Sequence, residues 1–233
     1  MRLYYVRHGD PIYSPDSLTD LGRRQAEALS RRMCLHGLDR IYASTSVRAQ
    51  MTAQPTAEVL KKPVTLLDWA HESRAWEQLA FEYEPGKKTW VWANEEFRLA
   101  FQRPDVRALE RRWYEHPIFA DYPSFGEGIQ RIQKEADAFL AEHGYRHDLQ
   151  KNIYISEGGN RENIGFFAHE GFGLAFLSCI LDIPYPMFST HFELHHTRVC
   201  VIEFPEKAGE VVPKMLQFGG DSHLFADRLP CIY

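Results

Sequence analysis

Short runs of β-favouring residues alternate with amphipathic helical stretches over most of the chain, and this alternation most constrains the fold. Residues 2–6, 39–44 and 63–70 read as strands rich in Tyr, Val, Ile and Leu. Between the first two, "SLTDLGRRQAEALSRRMCLHG" (17–37) puts Leu21, Ala28, Leu29 and Met33 roughly on one helical face. Thr19 is its candidate N-cap and Gly37 its stop. Residues 47–60 also carry helical period, but Pro55 inside them predicts a kink or a shorter helix. Further on, 127–144 reads as an amphipathic helix, "KNIYIS" and "ENIGFFAH" as strands, and 171–183 as a buried helix. "TRVCVIEF" and "VVPKMLQF" flank "PEKAGE" as a hairpin. Such alternation implies an α/β fold, a three-layer α/β/α sandwich on a mostly parallel sheet, because each helix must cover a sheet face and crossovers are right-handed. The closing hairpin supplies an antiparallel edge.

Residues 71–125 break this rhythm. All five tryptophans (Trp69, Trp76, Trp90, Trp92 and Trp113) lie in this stretch or at its edge. The stretch reads as a helical, cap-like insertion within one domain spanning 1–233. Its aromatic residues are expected to build the insertion's own core, with stacking on a ligand as the sharper alternative. Arg98, Arg103, Arg107, Arg111 and Arg112 read as a solvated helix face paired i,i+4 with nearby acids, rather than as a surface that steers polyanions.

A net charge of −5 argues against broad nucleic-acid binding. No run reaches the roughly 18 apolar residues of a membrane span, and the opening residues turn polar at Arg7, so no secretory apolar region is expected. Cys34, Cys179, Cys200 and Cys231 are far apart and form no CxxC pair, which suits reduced thiols in a cytoplasmic protein. The aromatic insertion is compatible with a homodimer.

In open α/β sheets ligands bind at the carboxyl ends of the strands. Arg7 and His8 directly follow the first strand, Arg48 the second and Glu72 the third, while His169 closes "IGFFAH". Each residue alone is more often structural; as a set they converge on one sheet edge. The set suits phosphoryl transfer. Two guanidinium forks match a phosphomonoester dianion, a neutral imidazole can attack phosphorus, a second, protonated histidine can stabilise equatorial charge, and a Glu can serve as acid then base. Gly9 is expected to let backbone approach the phosphate.

These residues resemble the histidine phosphatase superfamily, also called the phosphoglycerate mutase-like family. Arg7-His8-Gly9 after a short strand matches its signature tripeptide, and "LTDLGRRQAEAL" (18–29) is similar to its Leu-Thr-x-x-Gly-x-x-Gln-Ala segment. In "STSVRAQMTA" (44–53), Ser44, Arg48, Ala49, Thr52 and Ala53 fit the family pattern, whereas Thr45, Ser46 and Met51 depart from it. "FFAHEG" resembles the second-histidine strand, with Glu170 where Gly often follows, and "GDSHL" resembles the family's tail. The likeness covers roughly 1–72 and 126–224.

The resemblance implies that His8 is the nucleophile, that Arg7, Arg48 and His169 hold phosphate, and that no metal or other cofactor is needed. It places the acid shortly after the third strand, where Glu72 fits best and Glu77, in a Trp-Glu pair, is the runner-up. The ligand is then a small phosphorylated substrate or inorganic phosphate. Mutases of the family follow the tripeptide with Ser and a Trp-Asn pair; Asp10-Pro11-Ile12-Tyr13 departs from this, so hydrolysis stands ahead of mutase chemistry and of a non-catalytic phospho-ligand binder. His191, His195 and His196 are assigned to a strand and the loop before it, as surface or core residues rather than metal ligands.

Overall fold

The computed structural model describes residues 1–231. The chain enters with strand β1 (Arg2–Arg7), then a small hairpin of β2 (Pro11–Tyr13) and β3 (Asp16–Leu18), which three-residue strands without alternation do not announce. Helix α1 (Asp20–His36) starts where Thr19 Oγ1 accepts from Gly22 N at 3.0 Å and ends where Gly37 takes φ +69°. Strand β4 (Arg40–Ser44) leads through the cap Ser46 into α2 (Val47–Leu60). Pro55 does not shorten this helix, because Lys61 closes it only six residues later in the left-handed conformation. Strand β5 (Val64–Leu67) completes the first half.

Residues 71–125 are not wholly helical. Helix α3 (Glu72–Leu79) runs into a hairpin of β6 (Ala80–Glu84) and β7 (Lys87–Trp90), turned at Pro85-Gly86 with Gly86 at φ +76°. Short helices α4 (Glu95–Phe101) and α5 (Pro104–Arg107) and two 3₁₀ turns follow. Pro104 breaks the expected arginine-bearing helix, so the i,i+4 pairs do not form. Arg103 instead meets Asp105 at 2.7 Å, Arg112 meets Glu115 at 3.3 Å, Arg98 donates to Thr190 O, and Arg111 reaches Asp182 at 3.2 Å and Asn152 Oδ1 at 2.6 Å.

Helix α6 (Pro123–Glu142) begins earlier than its pattern suggests, with Pro123 in the first turn. A Cβ on Gly126 or Gly128 would come within 2.7 Å of the Tyr114 ring or Gln78 Cβ, so these glycines let α6 lie close against the inserted segment. Strands β8 (Tyr145–Asp148) and β9 (Ile153–Ser156) form a separate antiparallel sheet, while β10 (Asn163–Ala168) is fully central. Helix α7 (Gly171–Ile180) is buried along its whole length. Helix α8 (Tyr185–His191) ends at His191, so His191 is helical and His195 and His196 fall in the loop before β11 (Val199–Glu203). Strand β12 (Gly209–Val211) joins β9, β13 (Lys214–Gly220) pairs with β11, and α9 (Ser222–Ala226) follows.

The six-stranded main sheet has the order β13-β11-β1-β10-β4-β5. Strands β1, β10, β4 and β5 are parallel and β11 is antiparallel to β1, which gives the expected sandwich and edge hairpin. Alternation along β1 sends Leu3 and Tyr5 to one face and Tyr4 and Val6 to the other. The first face shares one apolar cluster with Phe166, Phe172 and Phe176, and with Val91, Phe101, Trp113 and Phe119 of the inserted segment. The four cysteines are free thiols, and no helix among the described residues is long and apolar enough to cross a membrane.

One buried charge cluster fastens the second half. The His147 side chain, 1 % exposed, sits between Asp137 at 2.7 Å and Asp182 at 3.1 Å. Burial alone would lower its pKa, but the two carboxylates outweigh it and hold the imidazole up at about 9. A raised pKa means that this stabilisation is complete below the unfolded value of about 6.5 and is lost as pH rises through about 9. The wild-type protein is therefore expected to lose on the order of 3 kcal/mol of stability between pH 6.5 and 9.5 that His147→Gln does not lose. Denaturant unfolding of both proteins across that range measures it, and parallel pH profiles would contradict it.

Candidate active site

The parallel strands end on one edge, and the predicted residues meet there. A cavity of about 500 Å³ is lined by Arg7, His8, Arg48 and Glu72, with His169 buried directly behind His8 at a ring separation of 5.2 Å. Glu77 is exposed on α3 and does not line the cavity. A second cavity of about 420 Å³ lies beside α6 and α7, lined by Ile129, Cys179 and Tyr185 among others, and holds none of the predicted residues.

His8 is 3 % exposed and continues directly from β1, its backbone N donating to Ala168 O at 2.9 Å. Its Nδ1 lies 2.7 Å from Gly9 O, which can only accept, so the proton sits on Nδ1 and Nε2 keeps its lone pair. Burial, then the Arg7 and Arg48 charges, hold the imidazole well below its ordinary pKa, in the neutral form a nucleophile requires. Gly9 N donates to Thr52 Oγ1 at 2.9 Å. A Cβ on Gly9 would lie 2.7 Å from Gly22 O, and one on Gly22 would lie 2.2 Å from Asp10 O. Gly9 is thus required for the close contact between the strand end and α1.

The two guanidiniums are fixed from partners that the sequence does not announce. Arg7 donates from one terminal nitrogen to Glu170 at 2.6 Å and to Leu194 O at 2.7 Å. Arg48 donates to Asp16 at 2.8 Å, so the β2–β3 hairpin exists in part to hold it, and its charge lies 5.4 Å from the centre of the Tyr13 ring. Both side chains line the cavity, while Nε of each is buried without a hydrogen-bond partner among the described residues.

His169 is fully buried. Arg48 donates to its Nδ1 at 3.2 Å, so Nε2 carries the proton, toward Ser44 Oγ at 2.8 Å and Ser46 Oγ at 3.2 Å. Tyr5 OH fixes its backbone, donating to His169 O at 2.6 Å. Burial, then His8 and Arg48, keep its pKa well below the usual value, so His169 is neutral in the empty site. An entering dianion reverses that balance. Tungstate, which stays dianionic near neutrality, is therefore expected to bind with proton uptake, shared by His169 and Glu72 and lowered in each of His169→Gln and Glu72→Gln. Calorimetry in buffers of different ionisation enthalpy reads this out, and zero uptake by the wild type would contradict it.

Glu72 opens α3 and is gripped by the start of α7, its carboxylate oxygens accepting from Gly171 N and Phe172 N at 3.0 Å each. Burial pushes its pKa up to about 7, against the pull of those amides and of Arg48 and Arg7. It is therefore poised to give and take a proton near neutrality.

Other residues at the site carried no signal of their own. The His196 ring centre, in the loop before β11, lies 5.5 Å from that of His8. Trp76, Trp90 and Trp92 line the cavity, whereas Trp69 and Trp113 belong to the core, so the tryptophans divide between the two expectations. Among the described residues no group of three or more His, Cys, Asp or Glu has a metal-holding arrangement.

Solved structures with the same fold include a phosphoserine phosphatase of Entamoeba histolytica in complex with phosphoserine, 17% identical with TM-score 0.59 over 96% of this chain and 98% of that one. A mycobacterial glucosyl-3-phosphoglycerate phosphatase is 14% identical with TM-score 0.58 over 94% and 99%. A putative alpha-ribazole-5'-P phosphatase from Escherichia coli is 18% identical with TM-score 0.59 over 95% and 98%. The curated proteins give no significant match. The family model for the histidine phosphatase superfamily (branch 1) matches residues 3–214, nearly the whole chain and every strand end that carries a candidate residue, and the chain belongs to that superfamily.

Proposed function

We propose that the protein is a metal-independent phosphomonoester hydrolase that works through a phosphohistidine on His8. The observation that carries this reading is the His8 tautomer, with Nδ1–H spent on Gly9 O and Nε2 left unprotonated, in a cavity also lined by Arg7 and Arg48. Nε2 attacks phosphorus as the bond to the leaving oxygen breaks, and protonated Glu72 supplies the proton to that oxygen. Water then attacks the phosphohistidine, Glu72 takes its proton, the P–N bond breaks and inorganic phosphate leaves. Arg7 and Arg48 hold the equatorial oxygens throughout, and a protonated His169 behind His8 stabilises their charge. The cationic donor set supplies the charge a metal would otherwise bring. Phosphatases among the structures of the same fold support hydrolysis as the outcome. Segment 71–125 caps the site, since it contributes Trp76, Trp90 and Trp92 to the cavity wall.

Phosphate release from a panel of phosphomonoesters in the presence of EDTA tests this reading. Turnover that EDTA leaves intact is expected. Release abolished by EDTA, or no release from any ester by the folded protein, would overturn it.

A further inference from the structure

Above the phosphate clamp the cavity wall is made of Tyr13, His71, Ser73, Trp76, Trp90 and Trp92. Trp76 stands one helical turn after Glu72 on α3, which puts an indole and the acid on the same helix face. Trp90 comes from β7, and its ring lies where a Cβ on Gly171 would be, only 2.4 Å away, beside an amide that grips Glu72. Trp76 and Trp90 meet edge to face with ring centres 5.0 Å apart, and Trp92 stacks beside Trp90 at 6.3 Å. Three indoles thus form one continuous wall next to the point where the leaving oxygen must accept its proton.

Trp90 and Trp92 also pack against the main core, whose aromatics in this segment are Trp113, Phe101 and Phe119, all 0 to 1 % exposed. Trp76, Trp90 and Trp92 stay only part-buried, and the buried Nε1 of Trp92 has no hydrogen-bond partner among the described residues. The charges are equally selective. The arginines of the cavity are Arg7 and Arg48, both turned to the phosphate, and its acids are Glu72 and Glu170. A leaving group with its own carboxylate would find no arginine beyond the two committed to the phosphate, and would lie near Glu170. The cavity also lies within the roughly 300–1,000 Å³ range of small-molecule sites, with room beyond a phosphate.

We propose that the substrate is a phosphomonoester of a neutral, planar aromatic alcohol, aryl or nucleoside, whose ring lies on the Trp76–Trp90–Trp92 wall; this rests on the hydrolase reading above. Aromatic contact rather than charge then selects the leaving group.

Two primary esters of closely similar leaving tendency, benzyl phosphate and cyclohexylmethyl phosphate, isolate the effect of aromaticity. Benzyl phosphate is expected to have the higher kcat/KM, by about 3- to 10-fold, mostly through KM. Phosphoserine and 3-phosphoglycerate are expected to trail it by about 100-fold or more. Trp76→Ala is expected to bring the benzyl-to-cyclohexylmethyl ratio to about one, and Trp76→Phe to restore it. Among primary alkyl esters, a nucleoside 5'-monophosphate ahead of benzyl phosphate assigns a nucleoside, and benzyl phosphate ahead of it assigns a simple aryl group; both support the proposal. Turnover with equal ratios, or with phosphoserine or 3-phosphoglycerate preferred, would overturn the aromatic proposal and leave the hydrolase standing. No turnover of any ester would overturn both.

Discussion

His8→Ala lowers turnover of every phosphomonoester by at least about 10⁴-fold, whatever its leaving group. The expectation is this large because, in the arrangement described, no second group can take over the attack. His169 lies behind His8, fully buried, with its Nδ1 accepting from Arg48 and its Nε2 facing Ser44 and Ser46. His196 is near, but its ring stands on the Asp10 side, with Nδ1 3.6 Å from Asp10 Oδ1. The variant keeps Arg7, Arg48 and His169, so it is expected still to bind tungstate while failing to turn over. Steady-state rates and calorimetry on one preparation separate these outcomes. Residual activity within tenfold of wild type would show that another group attacks phosphorus.

Glu72→Gln is expected to slow alkyl esters by about 10²- to 10⁴-fold while leaving the phosphorylation step with p-nitrophenyl phosphate close to wild type. An alkoxide leaves poorly without a proton, whereas nitrophenolate needs none. The pH profile gives an independent readout. Glu72 titrates near 7, and the first step needs its protonated form. For alkyl esters kcat/KM therefore falls as pH rises above about 7, and this limb disappears in the variant. The substitution also turns a side-chain N–H₂ toward the backbone amides of Gly171 and Phe172, leaving one without its acceptor. That costs about 1–3 kcal/mol of stability, which a denaturant melt must show to be tolerated before the rates are compared. Glu77→Gln is expected to change neither profile, since Glu77 is exposed and away from the cavity. The opposite pattern would move the acid to Glu77.

The candidate residues were legible because they sit at strand ends, and apolar runs such as "RLYYV" and "IGFFA" mark strand ends clearly. The groups that aim them were not. Asp16 and Glu170 reach Arg48 and Arg7 across 32 and 163 positions of sequence. Such pairings belong to the folded backbone and leave no local pattern. Gly9 illustrates the same limit, since its need arises from α1 lying against it at Gly22. The β6–β7 hairpin is different: Pro85-Gly86 between "AFEYE" and "KKTW" is a turn signal, masked by the helical character of the residues on both sides. The arginines of 97–113 misled because helical spacing was read across Pro104, which ends one short helix and opens another.

The central claim is the covalent step on His8. The most direct measurement mixes enzyme with an aryl phosphomonoester, quenches in alkali within the first turnovers, where phosphohistidine survives, and maps phosphorylated peptides by mass. One phosphoryl group on His8 is predicted, absent in His8→Ala and accumulating in Glu72→Gln, where the water step lacks its base. Phosphate release at full rate with the His8 peptide unmodified at every time point would contradict the account.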